Sequence, residues 1–96
     1  MSFAEFAASL TAAQPPVGVT PALAGLWHDG AGYWDGAHRC VQDDSSAEGA
    51  WVHAYLHRKE GDAGNAAYWY ARARKPVADG TLDDEWQAIA QTLLGA

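Results

Sequence analysis

The chain has 96 residues, 49% of them hydrophobic, with twelve acidic and six basic side chains and a formal net charge of −6. A length of this order is expected to fold as one domain, and no apolar run approaches the roughly 20 residues that a membrane-crossing helix needs. The negative charge argues against a nucleic-acid partner, whose phosphates it repels, although the basic residues gather between Arg39 and Lys75.

The start, MSFAEFAASL, lacks the basic stretch of a secretory leader and carries Glu5, so a cytoplasmic location is expected. Ser2 and Glu5 form a capping-box pattern. Phe3, Phe6, Ala7 and Leu10 then follow helical spacing, which predicts a short amphipathic helix over about 2–13. Pro15 and Pro16 stop it, because proline has no N–H and crowds the preceding turn. Thr20-Pro21 is the next start signal, a hydroxyl at the N-cap followed by proline at the first helical position. That helix runs through LAGLWHD and breaks near Gly30–Gly32. A second carries WDGAHRCVQ to about Asp43. Ser45 and Glu48 again have capping-box spacing and open a long helix from Ala47 to about Glu60. Gly61 suits the left-handed residue that ends such a helix, and Asp62 caps the next, from Ala63 to about Arg74. Pro76 and Asp79-Gly80 mark a loop. Thr81 opens a last helix, 81–94, with Leu82, Trp86, Ile89, Ala90, Leu93 and Leu94 on one stripe. No segment alternates as a strand does, so the chain is expected to be all-α.

Sliding the sequence on itself by 29 residues superposes His28 on His57, Gly32 on Gly61, Ala37 on Ala66 and Val41 on Tyr70. These matches fall at turns and packing positions, as stacked helical hairpins require. The motifs GYWDGAH and GDAGNAAYWYARA resemble the turn and second helix of tetratricopeptide or Sel1-like repeats, through Gly61-Asp62, Ala66, Tyr70 and Ala73. The first helices depart from that pattern, since His28 and His57 stand where the repeats carry a large aromatic, and the period is short. The chain is also similar to a set of small bacterial proteins sharing LWHD…WDxAH…HAYLHRxEGD…NAxYWY over residues 26–74, a likeness that implies no activity. The resemblance implies two stacked helix-turn-helix repeats, about 21–44 and 46–75, with flanking helices at 2–13 and 81–94. It also implies a surface that binds peptides or proteins.

Two features point toward chemistry. His53 and His57 lie four apart on one helix and share a face, with Glu60 a turn further along, which is half of a zinc site. The remaining donors would come from His28-Asp29, one repeat earlier, or from His38 on the intervening helix. Buried imidazoles bridging helices are the competing explanation. HExxH is absent, and no nucleophile stands out: Ser45 and Ser46 read as caps, and Cys40, the single cysteine, has no partner for a disulfide. The second feature is the aromatic content, five tryptophans and four tyrosines. Tyr68, Trp69 and Tyr70 are consecutive, so a helix spreads them over more than half its circumference, and Tyr68 or Trp69 is expected to leave the hairpin's own core.

The expectation is a helical-repeat binding or adaptor module that recognises a peptide, protein or small ligand. Its working face comprises His28, Asp29, Trp34, His53, His57, Arg58, Glu60 and Trp69. It needs no cofactor and has no nucleic-acid or membrane partner; a homodimer is compatible with it. The alternative is a small enzyme or metal-binding protein holding a divalent metal on His53, His57 and His28 with carboxylates in a pocket.

Overall fold

The computed structural model describes residues 1–95. Among them are six α-helices and no strand: α1 (Phe3–Ala8, extended by a 3-10 turn at Ser9–Thr11), α2 (Pro21–Gly30), α3 (Trp34–Val41), α4 (Ala47–Lys59), α5 (Ala63–Ala73) and α6 (Leu82–Leu93). Among the described residues, no helix is long and apolar enough to cross a membrane.

Side-chain caps set most of the helix starts. Ser2 accepts from the Glu5 N–H while Glu5 accepts from the Ser2 N–H, a closed capping box. These hydrogen bonds hold the Glu5 carboxyl below its usual range. Thr20, Asp62 and Thr81 each accept the N–H three residues on, as their spacing predicts. At α4 the cap lies one residue later than the capping-box spacing suggests. Ser46 takes the Gly49 N–H, because Asp44 accepts the Ser46 N–H at 2.9 Å and fixes the approach to the helix.

The 29-residue repeat is visible in the backbone. Gly32 and Gly61 have φ of +91° and +90°. The Tyr33 N–H returns to the His28 carbonyl and the Asp62 N–H to the His57 carbonyl, both at 2.9 Å or less. Gly32 and Gly61 likewise donate to the carbonyls of Asp29 and Arg58. Each hairpin therefore turns through the same glycine-dependent closure at the end of its first helix.

The two hairpins, α2–α3 and α4–α5, are the tightest helix pairs, and α1 and α6 flank them. In the first, Gly25 lets α3 approach, since a Cβ there would sit 3.1 Å from the Ala37 carbonyl oxygen and Val41 Cγ1. Helix α4 is central and packs on α2, α3, α5 and α6. Its apolar side buries Val52, Tyr55 and Leu56 among Phe6, Leu23, Leu26, Trp27, Val41 and Ile89. A smaller cluster of Ala54, Ala66 and Tyr70 joins α4 to α5.

Two polar networks tie α4 to its neighbours. Asp29, 4% exposed, accepts from Tyr55 Oη and Lys59 Nζ, each at 2.9 Å. Glu85, 8% exposed, accepts from Arg58 Nη1 at 2.9 Å and from Tyr70 Oη, while Arg58 also donates to the Gly80 carbonyl. Burial, reinforced by these carboxylates, pushes the Tyr55 and Tyr70 hydroxyls well above the usual tyrosine range, so both act as donors.

Candidate metal centre

The side of α4 facing α3 and α5 is built differently. His53 and His57 project from it one turn apart, both buried, and His38 arrives from α3, half-buried. The ring centroids lie 4.7 Å apart for His38–His53, 5.3 Å for His38–His57 and 4.8 Å for His53–His57. One donor nitrogen from each ring falls within 4.8 Å of the other two. A tetrahedral zinc ion with bonds of about 2.0–2.1 Å keeps its nitrogens roughly 3.4 Å apart, so the triad is somewhat wider than a bound ion would hold it.

Aromatic stacking fixes the ring planes. Trp34 stacks on His38 at 5.1 Å with 9° between planes, and its Nε1 donates to the Leu56 carbonyl at 2.9 Å. Trp69 stacks on His53 at 3.9 Å and 14°, with the Arg72 guanidinium 5.2 Å from the indole. The imidazoles thus sit between an indole from α3 and one from α5. The consecutive aromatics of α5 separate: Tyr68 is 54% exposed against Arg72, Trp69 covers His53, and Tyr70 is buried on Glu85.

The protonation pattern suits cation binding. His53 is pushed down to about 4, first by burial and then by His38 and His57. His38 is lowered by burial and by His57, with Glu60 and Asp35 opposing. Both rings are therefore neutral at physiological pH and keep a lone pair for a metal. His57 Nδ1 lies 2.6 Å from Glu60 Oε2, and in the tautomer that donates this hydrogen bond Nε2 is the nitrogen left for coordination. This carboxylate–imidazole pair is how metal-ligating histidines are commonly oriented from behind. Finally, His53 Nδ1 is buried with no hydrogen-bond partner, a state that costs free energy unless something else satisfies it.

The residues assigned to one face by sequence divide between two places. Trp34, His53, His57, Glu60 and Trp69 gather around His38. Asp29 and Arg58 are engaged in the networks with Tyr55, Lys59, Glu85 and Gly80. His28 is half-buried, packs edge-on against Trp27 and Tyr33, and is absent from the converging triad. The repeat makes His28 equivalent to His57, and equivalence places it one hairpin away. His38 is nearer because α3 runs against α4. The signal available in the sequence was the spacing Trp34–His38, four residues apart, which stacks an indole on the imidazole.

Comparison with known protein families, with curated proteins and with solved structures finds no match. The chain is a helical-repeat-like bundle of paired helices, and the case for its function rests on its own residues.

Proposed function

We propose that this protein is a small metal-binding helical protein whose centre is the triad His38, His53 and His57, with Glu60 orienting His57 from behind. The observation that carries this is the convergence of three imidazoles from two helices, one of them with a buried, unpartnered ring nitrogen. Three neutral nitrogen donors suit a borderline divalent ion such as zinc, nickel or copper, and not the oxygen-seeking calcium or magnesium. The net charge of −6 also favours cation approach.

The test is metal content after purification without chelator, followed by zinc titration. One equivalent is expected, lost in His53→Ala and His57→Ala and weakened in His38→Ala, with His28→Ala unchanged. Zinc bound equally well by the His53→Ala and wild-type proteins would refute the assignment.

A repeat-type adaptor of the tetratricopeptide or Sel1-like kind is the second reading. It draws on Tyr33 and Tyr68, which are 48% and 54% exposed and each sit beside an arginine, as aromatic contact points do. It predicts that His57→Ala leaves metal content unchanged.

A further inference from the structure

The ligand set has a consequence for what the ion does once bound, and it rests on the metal-binding reading above. The triad supplies three donors, whereas the borderline ions that suit it take four or more ligands. Among the described residues, Glu60 and Asp62 group with His57 but are not within the same reach of His38 and His53. Glu60 is already hydrogen-bonded to His57 Nδ1. Trp34 and Trp69 stack on two of the three rings, which opposes the swing that would re-pose the triad around a further side chain. The site is also not sealed, since His38 and Trp69 are half-buried and the Glu60 side chain is 39% exposed.

We infer that the metal keeps one coordination position for an exchangeable ligand, water at rest, which a small monodentate anion displaces. Three neutral imidazoles leave the ion's double positive charge uncompensated within its own ligand shell, so the open position prefers an anionic donor. Structural zinc sites are closed by four protein ligands, and an open fourth position is the arrangement that lets a metal act on a bound molecule. The ligand class is therefore small anions with one oxygen or nitrogen donor, reaching the ion past His38 and Trp69.

The experiment uses the full-length protein loaded with one equivalent of cobalt(II), whose visible d–d absorption reports coordination, and azide as the probe. A saturable change in the cobalt bands on adding azide, absent in cobalt-loaded buffer, is the expected result. Cobalt bound at one equivalent with bands indifferent to azide would overturn the inference and leave the metal site standing. Failure to bind cobalt at all would overturn both. Glu60→Gln tests whether Glu60 supplies the fourth ligand. If Glu60 swings in as a fourth ligand, wild type ignores azide and the variant responds, which counts against the inference. If Glu60 stays behind His57, both proteins respond, and the variant binds cobalt roughly 10- to 100-fold more weakly, the loss expected when such a supporting group is removed.

Discussion

Acid should destabilise the metal-free protein through His53 in a pH range set by its surroundings. In the unfolded chain this imidazole titrates near its ordinary value of 6.5, and in the fold it is held down to about 4 by burial and by the neighbouring His38 and His57. The remaining ring packed on it, Trp69 of α5, is uncharged, and the nearest cation beyond that indole is Arg72. The unfolded state therefore binds more protons than the fold between these two values. The His53 contribution to stability is flat above about pH 7, falls as pH drops through 6.5, and levels again below about 4. A difference of about 2.5 pK units corresponds to roughly 3 kcal/mol when complete, and to about 2–3 kcal/mol at pH 4.5. The assay is urea unfolding followed by tryptophan fluorescence, with chelator present, at about pH 7.5 and about pH 4.5. The same pair is run on His53→Phe, which keeps a flat ring against Trp69 but cannot titrate. Wild type is expected to lose about 2–3 kcal/mol more than the variant between the two conditions. Equal losses in both proteins would refute the argument that His53 is buried neutral.

Three further outcomes follow from the networks and turns. Tyr55→Phe leaves the buried Asp29 carboxylate with Lys59 alone, so a loss of roughly 2 kcal/mol and a fall in Tm on the order of 10 °C are expected in a thermal melt. Gly61→Ala places a Cβ at φ +90° with nothing within 4 Å, so its expected cost of about 1–2 kcal/mol in urea unfolding is backbone strain alone. Arg74 ends α5 at φ +59°, a left-handed position that favours glycine, and Arg74→Gly is expected to raise stability by roughly 0.5–1 kcal/mol in the same assay.

Much of the fold was legible because its signals are local. Thr20-Pro21, Gly61-Asp62 and Thr81 each announce a helix boundary through groups that bond within three or four residues, and the structure uses each of them. The 29-residue offset was legible because both hairpins need the same glycine at the same place. The histidine triad was only half legible, for a geometric reason. His53 and His57 share a helix, so their spacing alone puts them on one face. His38 reaches them through the packing of α3 on α4, and that depends on how the first hairpin sits on the second. The sequence offered His28 or His38 as the further donor, and self-alignment favoured His28, whose likeness to His57 records equivalence and not proximity. Asp29 and Arg58 read as members of a polar working face, yet their partners Tyr55 and Glu85 lie 26 and 27 residues further along the chain, beyond what local pattern reports.

The central claim is that one ion is held by these three imidazoles and no other. Its most direct test is a long-range proton–nitrogen NMR spectrum of the four histidine side chains, recorded without metal and with one equivalent of zinc. The rings of His38, His53 and His57 are expected each to show one nitrogen shifted into the metal-bound range, Nε2 in the case of His57, with His28 unmoved. Zinc-induced shifts at His28, or an unchanged His53, would contradict it.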